Sequence, residues 1–226
     1  MKINIITAIP EYLQAICQSS ILGRALAANK YQLEILCLRD FADGNLKKKV
    51  DDAPYGGGAG MILKIEPIDR ALTFLRQKNE LGHCVLTSSK GKVFQQATAQ
   101  AWSQLDYLTI ICGHYEGVDH RVSQLVDEEI SLGQFILTGG EPAAAAMIDA
   151  TLRLLPGVLG NSESLKEESF NGNYLEYPQY TRPEIYKGMK VPEVLLSGNH
   201  QAIKQWRENQ QIDLSNQQIK PQKSSY

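Results

Sequence analysis

A glycine-rich loop has the most unusual residue composition in this chain. Residues 50–61 read VDDAPYGGGAGM, and four of the five residues 56–60 are glycine. Such a run lets the backbone contact a ligand or another chain with no Cβ in the way. It does not match a phosphate-binding loop, because no Lys-Ser or Lys-Thr pair follows it and two acidic residues lie just upstream. The residue types alone therefore predict a specialised binding loop.

Three further glycine-containing segments carry polar side chains, at residues 86–91, 111–121 and 131–141. Any one of these glycines, taken alone, is more typical of a turn than of a ligand site. Two charged residues further along, Arg153 and Glu168, could do acid–base and charge-stabilising chemistry. Taken alone, Glu168 is typical of a surface acid in a charged run, and Arg153 is typical of a helix-end cation favoured by the helix dipole.

The composition predicts a soluble, cytoplasmic, folded protein. Of its 226 residues, 43% are hydrophobic and 21% are charged, as in ordinary globular proteins. No apolar run is long enough to span a bilayer and no signal peptide is visible. The four widely spaced cysteines are expected to be buried thiols, and no ligand spacing indicates a metal site. The net charge of −2 argues against a bulk nucleic-acid binder, but the basic run at residues 47–49, beside the glycine loop, favours a local RNA contact.

The elements that must position these segments alternate between strand-like and helix-like patterns. The predicted strands are residues 2–8, 32–38, 61–65, 84–87, 108–112 and 135–137. The predicted helices are residues 67–76, 95–104, 119–126, 142–155, 192–196 and 201–209. This alternation predicts an α/β fold with a mostly parallel sheet. A Rossmann fold is not indicated, because no G-x-G-x-x-G follows the first strand.

The glycine loop at residues 50–61 resembles the signature loop of the bacterial tRNA (guanine-37-N1)-methyltransferase family, TrmD. The three glycine segments and the segments around Arg153 and residues 175–207 resemble that family in the same order. The resemblance implies the SPOUT architecture, in which a parallel sheet carries a deep trefoil knot towards its C-terminal end. It also implies a methyltransferase domain over residues 1–160, a linker over residues 161–172 and a small helical tRNA-binding domain over residues 173–226.

The resemblance assigns S-adenosylmethionine as cofactor and tRNA as substrate. The residues that it implies for cofactor binding lie in the three glycine segments: Leu86, Thr87, Ser88, Gly113, Tyr115, Glu116, Leu132, Gly133, Gln134, Phe135, Ile136, Leu137, Gly139, Gly140 and Pro142. The residues that it implies for tRNA binding are Asp51, Tyr55, Gly58, Gln134, Arg182 and His200. The chain departs from the family's usual residues at Ser89, His114, His120 and Gln134, where proline, arginine, glutamate and aspartate are usual.

Methylation at guanine N1 requires loss of a weakly acidic proton while negative charge builds on O6, so a carboxylate base and a nearby cation would meet both needs. By resemblance, Glu168 takes the place of the family's catalytic aspartate and Arg153 that of its arginine. Mg²⁺ is the divalent cation that the resemblance suggests, with no ligands identified, and the implied working unit is a homodimer with shared active sites. Two other functions stay open: a catalytically silent RNA-binding relative, and a knotted methyltransferase for another RNA nucleobase.

Overall fold

The computed structural model describes residues 1–43, 49–160, 169–170 and 174–213. Contacts divide the chain into two compact units, Met1–Gly160 and Asn161–Tyr226. Within the described ranges, none of the helices is both long and apolar enough to cross a membrane.

The first unit alternates strands with helices, as the sequence predicts. Its elements in chain order are β1 (Lys2–Thr7), α1 (Pro10–Cys17), α2 (Ser20–Ala27), β2 (Gln32–Cys37), β3 (Asp51–Asp52), β4 (Ile62–Leu63), α3 (Ile65–Gln77), β5 (His83–Val93), α4 (Gln96–Trp102), β6 (Tyr107–Ile111), β7 (Glu128–Ser131) and α5 (Glu141–Leu152). Short 3-10 helices cover Leu38–Phe41 and His120–Gln124.

Five of these strands form one parallel sheet in the order β2-β1-β6-β5-β7. The sheet is buried on both faces, which is typical of parallel sheets flanked by helices. Ile3 and Ile5 of β1 pack with α1, α2 and α5 on one face, while Ile6 packs with α3 on the other. The register between β5 and β7 shifts between Thr87 and Lys92, so β5 is irregular within the first glycine segment.

The prediction of an α/β fold with a parallel sheet is confirmed, but one predicted strand is wrong. Residues 135–137 do not form a strand, and the last strand of the sheet is instead β7. Phe135 and Ile136 are β-formers by residue type, yet they are 54% and 88% exposed and pair with no neighbouring strand in the described chain. The helix predicted at residues 119–126 is only the short 3-10 turn His120–Gln124.

Helix α5 carries the chain away from the third glycine segment. Its first turn contains Pro142, whose fixed φ and missing N–H suit that position. Ala144, Met147 and Ile148 are fully buried, so the helix packs on the sheet with little exposed surface. It ends at Leu152, and Arg153 is its C-cap.

The described part of the second unit forms two-residue strands, one helical turn and one helix of 11 residues. They are β8 (Tyr174–Leu175), β9 (Ile185–Tyr186), β10 (Met189–Lys190), α6 (Glu193–Leu196), α7 (His200–Gln210) and β11 (Ile212–Asp213). Strands β9 and β10 pair, as do β8 and β11. The side chain of Asn199 caps α7 by accepting from the Ala202 amide at 3.2 Å. The predicted linker, residues 161–172, lies almost wholly outside the described residues.

Four charged side chains join the amino-terminal edge of the sheet to the end of α3. Lys2 Nζ lies 2.6 Å from carboxylate oxygens of both Glu34 and Glu80, and Lys78 Nζ lies 2.8 Å from each. Burial acts to raise the pKa of Glu34, but hydrogen bonds from Lys2 and Lys78 outweigh it and leave that pKa below its ordinary value. A carboxyl group whose pKa is lowered on folding stabilises the folded state while it is ionised.

We expect this cluster to make the protein sensitive to acid. The contribution of Glu34 should be complete above its ordinary pKa of 4.5 and lost as the pH falls through the lowered folded-state pKa. Glu34→Gln should therefore be less stable than wild type at pH 7, and the difference should shrink as the pH is lowered through that window. Urea unfolding across the pH range measures this. Asp106→Asn, at an exposed position of the same unit, is the control, and an unchanged difference at all pH values would contradict the prediction.

Candidate functional site

A cavity lies between the three glycine segments, at the carboxyl ends of β6 and β7. It encloses about 430 Å³, within the range of small-molecule sites, and is lined by residues of the segments 86–90, 113–123 and 129–143. In open α/β sheets ligands bind outside the carboxyl ends of the strands, and β6 and β7 end at this cavity. The cavity is therefore the candidate functional site of the first unit.

Direct contacts hold the three segments together. The Thr87 hydroxyl donates to the Ile111 carbonyl at 3.2 Å and accepts from the Gly113 amide at 3.0 Å. The Gly140 amide donates to the Gly113 carbonyl at 2.6 Å. Gly139 also forms an isolated β-bridge with His114. The first, second and third segments thus meet at Thr87, Gly113 and Gly140.

Gly140 is required here for space and not for an unusual backbone conformation, since its φ is −80°. A Cβ at this residue would collide with the Thr87 hydroxyl and lie 2.7 Å from the Gly113 amide nitrogen. A Cβ at Gly113 would instead lie 3.3 Å from the Thr87 carbonyl oxygen, which is tight but not prohibitive. The closest approach of the segments therefore tolerates no side chain at Gly140.

A buried carboxylate lies under the cavity at the start of α5. Glu141 is 3% exposed, and its Oε1 accepts from the Thr7 hydroxyl at 2.7 Å. Its Oε2 lies 3.4 Å from Nδ1 of His114, a cavity-lining residue whose ring packs edge-on against Tyr115 at 4.8 Å between centroids. Cys112, between the sheet and Gly113, is fully buried, and burial together with the charge of Glu141 raises the pKa of its thiol well above the ordinary value.

One wall of the cavity is polar. Hydrogen bonds from Ser123 and Ser88 lower the pKa of Glu129, against a smaller opposing effect of burial and with added support from the charges of His120 and Lys90. All five residues line the cavity. This wall can hold polar groups of a ligand by hydrogen bonds, with a carboxylate that stays ionised.

The third segment supplies exposed apolar side chains beside this polar wall. Phe135, Ile136 and Leu137 are cavity-lining residues with exposed fractions of 54%, 88% and 38%. Exposed apolar groups of this size next to a pocket suit an aromatic ligand ring or another protein surface. The site therefore combines a polar and an apolar part.

The glycine-rich loop lies beside the second segment. The Glu116 amide donates to the Met61 carbonyl at 3.0 Å, and the Leu63 amide donates to the Gly117 carbonyl at 2.9 Å. Gly60 has a φ of +78°, a left-handed conformation that favours glycine, and a Cβ there would also displace the Glu116 side chain. Tyr55, near the start of the loop, is fully exposed. The loop therefore places its exposed residues close to the cavity without lining it.

The structure brings most of the predicted cofactor residues together. All of them line the cavity except Gln134 and Pro142, which belong to the same segment but lie outside the lining. Of the predicted tRNA-binding residues, Asp51 lies on β3 and Tyr55 and Gly58 lie in the glycine-rich loop. Arg182 and His200 are exposed residues of the second unit.

The two predicted catalytic residues are not placed together by the described chain. Arg153 is the half-buried C-cap of α5, whereas Glu168 lies outside the described residues. Lys47 and Lys48 of the predicted basic run also lie outside them, and Lys49 forms an ion pair with Asp52 at 3.1 Å. Among the described residues no group of acidic, histidine or cysteine side chains is arranged to hold a metal ion.

Sequence reasoning missed several cavity residues. Ser123, Glu129 and Ala143 were not predicted, because each belongs to a helix or strand whose pattern alone indicates only packing or solvation. The sequence places Glu141 at the end of the third segment but does not predict its burial or its contact with His114. A charged residue directly after two glycines and before a proline, at the start of an otherwise apolar helix, is the signal that could have drawn attention to it.

A parallel sheet with a glycine-walled cavity outside its carboxyl ends defines a class of α/β proteins that bind a small organic ligand at the strand ends. The family model described as tRNA (Guanine-1)-methyltransferase TrmD matches residues 1–222. A tRNA (guanine-N(1)-)-methyltransferase of Lactobacillus johnsonii is 51% identical over 212 residues, covering 94% of this chain and 86% of the relative. The enzyme of the same name from Clostridium beijerinckii is 49% identical, covering 98% and 91%.

A solved structure agrees with these matches. The crystal structure of tRNA (m1G37) methyltransferase from Aquifex aeolicus superimposes with a TM-score of 0.77 at 40% identity, covering 92% of this chain and 90% of the other. The protein therefore belongs to the tRNA (guanine-1)-methyltransferase TrmD family.

The contact at Gly140 generates a test of the cavity. Gly140→Ala should weaken binding of S-adenosylhomocysteine strongly or prevent folding, because the new Cβ would collide with Thr87. Gly113→Ala should have a smaller effect, since its Cβ needs a shift of only a few tenths of an ångström. Calorimetric titration of folded protein measures both.

Gly160→Ala is the matched control, because a Cβ there meets nothing within 4 Å. Equal affinities for S-adenosylhomocysteine in the Gly140 and Gly160 variants would show that the contact at Gly140 does not contribute to the binding site.

Proposed function

We propose that this protein transfers a methyl group from S-adenosylmethionine to N1 of guanosine 37 in tRNA, next to the anticodon. The observation that carries the proposal is the cavity of the first unit, whose lining comes from the three segments that resemble the family's cofactor loops. The family match over residues 1–222 and the structural likeness to the Aquifex aeolicus tRNA (m1G37) methyltransferase support the same reaction.

The residues of the cavity fit S-adenosylmethionine. Glycine at residue 140, where a Cβ would collide with Thr87, lets two backbone segments come close enough to enclose a ligand. Phe135, Ile136 and Leu137 offer apolar contact for adenine, while the polar wall at Glu129 offers hydrogen bonds. When bound, the cofactor supplies an electrophilic methyl group on a sulfonium centre.

We also propose that the three segments form the trefoil knot of the SPOUT architecture. The contact between the Gly140 amide and the Gly113 carbonyl, at 2.6 Å, supports this proposal because it joins the third segment to the second at the end of the sheet. The β-bridge between His114 and Gly139 supports the same arrangement.

For the chemical step we propose Glu168 as the base that removes the guanine N1 proton. A positioned carboxylate is suited to this task, and a cation near O6 would balance the negative charge that develops there. Arg153, at the carboxyl end of α5, is proposed as that cation. The position of Arg153 at the end of a well-packed helix supports a fixed orientation for its backbone.

Recognition of tRNA is proposed to involve two surfaces. The surface on the first unit comprises Asp51, Tyr55 and Gly58 of the glycine-rich loop, together with Gln134 of the third segment. Full exposure of Tyr55 suits stacking on an unpaired base of the anticodon loop. On the second unit, Arg182 and His200 are proposed to contact phosphate, as part of a small tRNA-binding domain over residues 173–226 that follows a linker over residues 161–172.

We propose a homodimer with shared active sites as the working unit. Exposed apolar side chains on one surface region favour burial against another protein surface. Tyr115, Phe135 and Ile136 of the cavity rim are 43%, 54% and 88% exposed, which supports such burial. Use of Mg²⁺ and a cytoplasmic location stay predictions.

The test is methyl transfer from labelled S-adenosylmethionine to a tRNA transcript with guanosine 37, with an adenosine-37 transcript as control. We expect label in the first transcript only. Binding of cofactor and tRNA without methyl transfer would instead identify a catalytically silent RNA-binding relative. The reason for this alternative is that His114, Gln134 and Glu168 differ from the family's usual residues. Transfer to the adenosine-37 transcript would identify a methyltransferase for another nucleobase.

Glu168→Gln should lower the rate of methyl transfer by about 10²–10⁴, the usual contribution of a general base, with cofactor affinity nearly unchanged. Glu168→Asp should lose about tenfold or less, because it keeps the carboxylate and aspartate is the family's usual residue there, so the loss stays below the roughly 100-fold cost of a 1 Å misplacement. Single-turnover rates measure both. Glu167→Gln is the matched control. Full activity in Glu168→Gln together with a loss of activity in Glu167→Gln would identify Glu167 as the base instead.

A further inference from the structure

Glu141 has no role in the proposed chemistry, although it is the most buried carboxylate near the cavity. It is 3% exposed and lies in the first turn of α5. A buried carboxylate is costly unless hydrogen bonds or positive charge compensate it. The hydroxyl of Thr7 and the amino end of α5 provide part of this compensation, and His114 provides the remaining contact.

The space between Glu141 and His114 is kept clear by Gly139. A Cβ at Gly139 would collide with Glu141 Oε2 and lie 2.6 Å from Nδ1 of His114. The carboxylate therefore faces the imidazole directly, with Oε2 and Nδ1 3.4 Å apart. Thr7 holds the other carboxylate oxygen at 2.7 Å, so the carboxylate is fixed from both sides.

The contact with Glu141 decides how His114 presents itself to a ligand. A carboxylate oxygen accepts in such a contact, so the pairing with Oε2 assigns the ring proton of His114 to Nδ1. The state of one ring nitrogen is set by the hydrogen bond that the other makes. Nε2 is then the ring nitrogen left to bind a ligand in the cavity that His114 lines.

We propose that Glu141 is a positioning residue of the methyl-transfer site: it fixes the orientation and the proton position of His114, and His114 contacts the cofactor through Nε2. This inference rests on the proposed function, because it takes S-adenosylmethionine as the occupant of the cavity. Glu141 itself does not touch the cofactor. It acts through His114 and joins the interior strand β1 to the second and third segments.

Glu141→Gln tests the proposal, since glutamine keeps the shape but can donate to Nδ1 and so reverse the proton position of His114. We expect the affinity for S-adenosylhomocysteine to fall about 10- to 100-fold, the range for a hydrogen bond to a charged group. Nitrogen-15 NMR of labelled histidine should show Nδ1 protonated in wild type and unprotonated in the variant. The proposal requires this reversal and the loss of affinity together, whereas a purely structural role would reverse the proton position without a loss of affinity.

Glu128→Gln is the matched control, because Glu128 pairs with His83 at 2.8 Å in the same sheet but outside the cavity lining. It should change the affinity by no more than about twofold. His114→Gln removes the imidazole of the same pair and should lower the affinity for S-adenosylhomocysteine to a similar extent. The double variant with Glu141→Gln should show little further loss.

Wild-type affinity in folded Glu141→Gln would overturn the proposal, as would a reversed His114 proton position with no loss of affinity. If Glu141→Gln does not fold, His114→Gln decides: unchanged affinity there overturns the proposal and lowered affinity supports it. Failure of the wild-type protein to bind S-adenosylhomocysteine or to methylate tRNA would instead overturn the proposed function, and the inference with it.

Discussion

The close approach of two backbone segments at Gly113 and Gly140 is the constraint on which the cavity depends. The amide of one donates to the carbonyl of the other at 2.6 Å, and the Thr87 hydroxyl closes the contact from the first segment. These backbone groups are satisfied by one another and by the Thr87 hydroxyl, and a Cβ at Gly140 would collide with both the hydroxyl and the Gly113 amide. The chain therefore encloses a ligand-sized space with main-chain atoms, and the side chains around it are left to select the ligand.

Sequence patterns predicted most of the fold but not helices α1 and α2 or the last strand of the sheet. The core strands β1 and β6 were predictable because they are short apolar runs, buried on both faces. In β7 only Ile130 and Ser131 are buried, and the two glutamates before them give the segment no apolar pattern typical of a strand. Residues 135–137 have such an apolar pattern but are exposed and form no strand. The glycine segments were predictable from composition and resemblance. The pairing of Thr7 with Glu141 was not, because it joins residues 134 positions apart.

The first and second units are stabilised by different kinds of packing. The first unit buries an apolar core on both faces of its sheet, and the cavity segments are attached to those buried strands. The second unit is held by small contacts such as the Tyr180–Trp206 ring pair at 6.4 Å and Arg207 over the Tyr177 ring at 4.9 Å, and its helices contain no fully buried side chain. A segment of this kind adapts more readily to a large, irregular partner than a densely packed core does.

The burial of Cys112 has a consequence for redox behaviour. Only a thiolate reacts readily with peroxide or alkylating agents, and burial with raised pKa keeps this sulfur protonated. Cys84 in the neighbouring strand is also buried, with a pKa raised to about 12, chiefly by burial. Both thiols should be inert while the sheet is closed. Their alkylation rate would then report how often the sheet beneath the cavity opens, on the timescale of local unfolding.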